Sequence, residues 1–113
     1  MNPIYSVIIP AFNEEGTVAS LLAAVRGVMD GLGAPYEIVF VDDHSEDGTL
    51  AAAQGFAASH PGMLLLHLKR RSGKSGALQV GFDAARGQVF LTLDADFQND
   101  PADFPRLIEK MKD

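Results

Sequence analysis

The sequence predicts an α/β fold: a doubly wound, mostly parallel sheet of about four strands with four helices, in one domain over residues 1–113. Three observations predict it. Short apolar runs rich in β-branched residues alternate with longer, alanine-rich stretches whose apolar positions fall at helical spacing. The four runs begin 33, 26 and 25 residues apart, a spacing that suits strand–helix–strand crossovers. The run Ile38-Val39-Phe40-Val41 is apolar on both faces, as a strand must be when helices cover both sides of the sheet.

The first strand is expected over residues 4–10. A helix over 16–29 follows, with Val18, Leu21, Leu22, Val25 and Val28 or Met29 on one face, ending at Gly31-Leu32-Gly33 before Pro35. The second strand spans 37–42, and its helix starts at Asp47 or Gly48 and carries Leu50, Ala53, Phe56 and Ala57. The third strand spans 63–68, with a helix over 75–85 closed by Gly87. The fourth spans 88–94. The last helix opens at Asp100-Pro101-Ala102-Asp103, where Asp100 caps, Pro101 takes the first helical position and Asp103 meets the positive end of the dipole. With no strand after that helix, the chain reads as the first half of a larger unit.

At 47% hydrophobic residues the chain has enough apolar mass for one core. Fifteen acidic against nine basic residues give a net charge of −6, which argues against a general nucleic-acid binder. The absence of cysteine removes disulfides, thiolate nucleophiles and cysteine-held metals. The apolar runs are short and no basic segment leads into a long one, so neither a signal peptide nor a membrane span is expected and cytoplasm is the default location.

Ligand crevices in open parallel sheets lie beyond the carboxyl ends of the strands, and three of those ends are polar here. They are Asn13-Glu14-Glu15, Asp42-Asp43-His44-Ser45 and Asp94-Ala95-Asp96-Phe97-Gln98. Singly, Asn13 and Glu14 read as a helix start and Ser45 or Asp47 as caps. Together the carboxylates call for a compensating cation. In an extended segment Asp94, Asp96 and Gln98 share a face, and such hard oxygen donors suit Mg²⁺ or Mn²⁺ on a diphosphate, so a nucleotide substrate is implied. Lys69, Arg70, Arg71 and Lys74 place four of the nine basic residues within six positions. Arg70, Arg71 and Lys74 are the candidate phosphate contacts, set against an ordinary solvated loop. Gly73-Lys74-Ser75 resembles the end of a Walker phosphate loop, but Leu68 stands where its first glycine belongs. His60 and His67 read as structural or surface residues.

Pro10-Ala11-Phe12-Asn13-Glu14-Glu15, Val41-Asp42-Asp43-His44-Ser45-Glu46-Asp47-Gly48-Thr49 and Leu93-Asp94-Ala95-Asp96-Phe97-Gln98-Asn99-Asp100-Pro101 together resemble the family 2 glycosyltransferases. Within them the likeness is to bacterial polyprenyl-phosphate sugar transferases of the dolichol-phosphate mannose synthase type. The resemblance implies a GT-A nucleotide-sugar domain in which Pro10, Phe12, Glu14, Val41 and Asp43 surround base and ribose. It also implies that Ala95 lines the donor pocket and that Asp94 and Asp96, with Gln98, hold Mg²⁺ or Mn²⁺. The implied reaction is inverting transfer from a UDP- or GDP-sugar to a polyprenyl phosphate or a glycan acceptor. The catalytic base is expected beyond residue 113, and these residues alone are expected to bind donor without turnover. Membrane attachment at the cytoplasmic face would come through further segments. Phe12 replaces the family's frequent Tyr, His44 its Gly and Phe97 its Leu.

Two other classes share features with the sequence. Asp42-Asp43 followed by Asp94, 51 residues after Asp43, also looks like a phosphoacceptor receiver domain. Against that, a whole strand–helix unit precedes the acidic pair and no strand follows Asp94. A binding or assembly module is the third reading; its exposed sheet edge predicts self-association into a homo-oligomer.

Overall fold

The computed structural model describes residues 2–95 and 101–111. Its elements run β1 (Tyr5–Ala11), α1 (Val18–Leu32), β2 (Tyr36–Asp42), α2 (Thr49–Ala57), β3 (Met63–His67), α3 (Gly73–Ala84) and β4 (Val89–Thr92), then a 3-10 turn at Pro101–Asp103 leading into α4 (Phe104–Met111). All strand pairs are parallel and the order is β3-β2-β1-β4, which is the α/β architecture expected. These are the first four strands of the 3-2-1-4-5-6 doubly wound order, switch point included, whereas receivers follow 2-1-3-4-5, so the topology disfavours the phosphoacceptor reading.

Side-chain alternation along the strands explains the layers. Val7, Ile9, Ile38 and Phe40 face Val18, Leu21, Leu22, Val25 and Met29 of α1, Ala53 of α2 and Phe104 and Ile108 of α4. Ile8, Val39 and Val41 face Ala77 of α3 on the other side. Complete burial of each such aliphatic side chain contributes about 1.5–3 kcal/mol. Gly81 lets α3 sit close, since a Cβ there would lie 2.5 Å from Ile8 Cγ2. Among the described residues one face therefore carries α1, α2 and α4 and the other α3. Leu64 of β3 and Phe90 of β4, paired in register with Val39 and Ser6, lie on the α3 face and remain exposed.

The strands are not uniformly apolar. Ser6 is fully buried and its hydroxyl donates to Glu37 Oε2 at 2.6 Å, while Glu37 itself is 6% exposed. The same carboxylate oxygen accepts the Arg86 N–H at 2.6 Å, and Ser6 Oγ accepts the Gly87 N–H at 2.8 Å. The pair thus ties the α3–β4 connection to the sheet.

Element ends differ from expectation for local reasons. The α1 helix starts at Val18 because Glu14 C=O first accepts Thr17 and Val18 in a turn, and it runs through Gly31 to Gly33, whose φ of 73° closes it. The α3 helix begins at Gly73, two residues early, and stops at Ala84, one residue before the expected end, because Ala85 already turns extended ahead of Gly87. The β4 strand ends at Thr92, so Asp94 lies past the strand and Ala95 sits in a turn. The extended geometry expected to align Asp94 with Asp96 therefore does not continue through Ala95. Asp96, Gln98 and the expected cap Asp100 lie outside the described residues.

Candidate functional site

The chain leaves β3 at one edge and returns through α3 to β4 on the far side of β1, creating a topological switch beside β1. The loops after β1 and β2 meet there and lock together. The N–H of Asn13 (φ 54°) donates to Ser45 Oγ at 2.9 Å, and its side-chain oxygen accepts the Glu46 N–H at 2.8 Å. The Glu14 N–H donates to buried Thr49 Oγ1 at 2.7 Å, and that hydroxyl donates to Asp47 Oδ1 at 2.5 Å. The Thr49 hydroxyl holds the Asp47 carboxyl below the usual carboxylate range. Ser45 thus bridges loops rather than capping α2; Asp47 accepts the Thr49 N–H at 2.9 Å as well as serving the loop. His44 adopts φ 60°, the left-handed region where glycine is cheapest.

Asp43, 2% exposed, is the centre of the arrangement. Its N–H donates to Ala11 C=O at 2.8 Å, Oδ1 accepts the Ser72 N–H at 2.7 Å and Oδ2 accepts Arg71 Nε at 3.0 Å. The Arg71 guanidinium in turn lies 3.6 Å from the centroid of the Phe12 ring, a cation–π contact that holds it against β1. Across the crevice, Lys74 Nζ is 2.5 Å from Asp94 Oδ1. Ala95 is buried, and its carbonyl accepts the Thr17 hydroxyl at 2.9 Å, tying the loop after β4 to the start of α1.

These groups enclose a cavity of about 280 Å³. Of the expected donor residues, Pro10, Phe12, Glu14, Asp43 and Ala95 line it, together with Asp94, Arg71 and Lys74. Val41 does not; it is fully buried beneath α3 with Ile8 and Ala77, because the strand's alternation turns it into the core. Arg70 is exposed and outside the cavity. Asp42 is also turned away: its Oδ2 bonds His67 Nδ1 at 2.7 Å, so His67 is the partner of a buried carboxylate. Sequence spacing alone carried no signal for that pair; it follows from the register that sets Asp42 beside His67. The lining by Ala11 and Ala77 and the Ser72 N–H were likewise missed, the last because a backbone donor leaves no mark in the sequence.

Asp94 supplies a hard carboxylate at the cavity, 20% exposed, which fits Mg²⁺ or Mn²⁺ chemically. Among the described residues no group of three or more His, Asp or Glu side chains is arranged around a common metal position.

The α/β sheet with its switch-point crevice has GT-A glycosyltransferases among its structural neighbours. The mannosyltransferase PcManGT from Pyrobaculum calidifontis, solved with GDP-Man and Mn²⁺, matches with TM-score 0.74 and 32% identity over 85% of this chain and 28% of that one. The S. aureus TarS 1–349 complex with UDP-GlcNAc shares the fold at TM-score 0.73 and 23% identity, over 96% of this chain and 31% of that one. Residues 6–113 match the family described as Glycosyl transferase family 2, and the chain belongs to that family. It is 39% identical over 107 residues to the undecaprenyl-phosphate 4-deoxy-4-formamido-L-arabinose transferase of Aeromonas hydrophila subsp. hydrophila, covering 94% of this chain and 33% of that protein. It is 35% identical over 108 residues to the dodecaprenyl-phosphate galacturonate synthase of Rhizobium johnstonii, covering 95% and 32%. The chain therefore spans about a third of the length of these relatives. No helix among the described residues is long and apolar enough to cross a membrane.

Proposed function

We infer that the chain is the donor-binding part of an inverting glycosyltransferase that moves a sugar from a UDP- or GDP-sugar to a polyprenyl phosphate or a glycan acceptor. The observation that carries this reading is the single cavity in which Asp43 and Asp94 stand with Arg71, Lys74 and Phe12. Asp43, fixed by the Ser72 N–H and Arg71, accepts hydrogen bonds from the base, while Phe12, Pro10 and Glu14 form the walls around base and ribose. Arg71 and Lys74 supply positive charge to the diphosphate. Asp94, with Asp96 and Gln98, would hold Mg²⁺ or Mn²⁺, which when bound stabilises the charge that develops on the departing diphosphate.

With a lipid phosphate as acceptor, one of its anionic oxygens forms the new bond to the anomeric carbon. The bond from that carbon to the diphosphate breaks, and its electron pair leaves with the nucleoside diphosphate. No proton has to move, so positioning carries the reaction. These 113 residues hold the donor side and, on this reading, do not turn over alone; the transfer takes place at the cytoplasmic face of a membrane.

Calorimetric titration of UDP, GDP, UDP-sugars and GDP-mannose with Mn²⁺ or EDTA tests the reading. One nucleotide should bind in a metal-dependent way, and Asp43→Asn should weaken it by about 10–100-fold, the loss expected for a hydrogen bond to a charged group. A folded protein that binds none of them would overturn the proposal.

A further inference from the structure

The geometry points to Lys74 and a divalent cation as alternative counterions of Asp94, so that the cation and the donor diphosphate bind cooperatively through the movement of one lysine. The inference rests on the donor-site reading above. The ammonium of Lys74 is 2.5 Å from Asp94 Oδ1. Two cations on one carboxylate repel, so a divalent ion that takes Asp94 must weaken or expel this contact.

Which partner moves follows from how each is held. Asp94 is 20% exposed and adjoins Ala95, whose carbonyl is anchored by the Thr17 hydroxyl. Lys74 is 60% exposed, on a flexible stem in the first turn of α3. Arg71, the other cation lining the cavity, is 52% exposed but is held by two partners, the Asp43 carboxylate and the Phe12 ring. Lys74 is thus the mobile charge. A diphosphate in the cavity offers it a new anionic partner; its departure returns the full charge of Asp94 to the cation. By linkage the cation must tighten the diphosphate by the same factor. Lys74 then acts on metal affinity as a positioning residue, through Asp94.

The test is titration of Mn²⁺ into the 113-residue chain, following free Mn²⁺ by electron paramagnetic resonance, with and without UDP or GDP. It compares wild type, Lys74→Met, Asp94→Asn and the double variant. Lys74→Met should bind Mn²⁺ alone about two- to fivefold more tightly, the value of a largely exposed ion pair, and the factor by which nucleotide tightens Mn²⁺ should fall below that of wild type. In the Asp94→Asn background Lys74→Met should produce no tightening, which separates action through Asp94 from a general change of charge. Unchanged or weaker Mn²⁺ binding by folded Lys74→Met overturns the inference while leaving the donor site standing. A wild type that binds neither Mn²⁺ nor nucleotide overturns both.

Discussion

Glu37 is a carboxylate in a strand that otherwise reads as core, and its two short bonds explain why it is tolerated. Replacing it with alanine leaves the buried Ser6 hydroxyl and the Arg86 N–H without their acceptor. Glu37→Ala should therefore lower stability by about 2–4 kcal/mol, read as a lower urea midpoint at unchanged slope; a change under half a kilocalorie (about 0.5 kcal/mol) would show the bonds to be replaceable by water. Tyr36 makes a second prediction at this scale. Burial first, and then its hydrogen bond to Asp30 at 2.6 Å, push its phenol from 10.0 up to about 12. The folded state thus favours the neutral phenol, so this contribution is complete below pH 10 and disappears as pH rises towards 12. Phenolate absorbance should show one tyrosine titrating near 12, and Asp30→Ala should bring it down. Residues of this kind explain what sequence reading reached and missed. Asp43, Phe12 and Glu14 were legible because the site draws on strand ends, which periodicity locates. The Asp42–His67 pair and the burial of Val41 depend on register and alternation in the folded sheet, which one-dimensional spacing does not specify.

The helices show the same division. The stripe Val18, Leu21, Leu22, Val25 and Met29 was visible as a period and is buried as expected. The start of α3 was not, because the Ser72 N–H that precedes it is satisfied by Asp43, 29 residues away, instead of by a local cap. Two glycines make the energetic contrast testable. Gly27 lies mid-way along α1 with nothing within 4 Å of an added Cβ, so Gly27→Ala should raise stability by about 0.5–1 kcal/mol through helix propensity. Gly81 in α3 meets Ile8 Cγ2 at 2.5 Å and Val41 Cγ2 at 3.3 Å, so Gly81→Ala should cost about 1–3 kcal/mol as α3 is forced off the sheet. Thermal unfolding of both variants checks the pair, and equal shifts of one sign would sink the packing argument.

For the whole molecule, the strand order was beyond the sequence, since spacing predicts crossovers but not which side of β1 receives β4. Among the described residues that order leaves β3 and β4 at the sheet edges, with Leu64 and Phe90 exposed on the face that α3 covers. Unpaired edge strands beside exposed apolar side chains favour association. Light scattering should show mass rising with concentration for the 113-residue chain, and Phe90→Lys should reduce it; a monomer at every concentration would refute the expectation.

The bonds that shape the cavity join distant parts of the chain: 28 residues separate Arg71 from Asp43, 35 separate Glu14 from Thr49 and 78 separate Thr17 from Ala95. None of these contacts can form within a single helix or hairpin, and each must wait for loop closure across the sheet. During synthesis, then, the crevice is finished from one side: its walls from residues 10–77 emerge first, and the side formed by Asp94 and Ala95 closes only when the turn at Ala95 has left the ribosome and docked against Thr17.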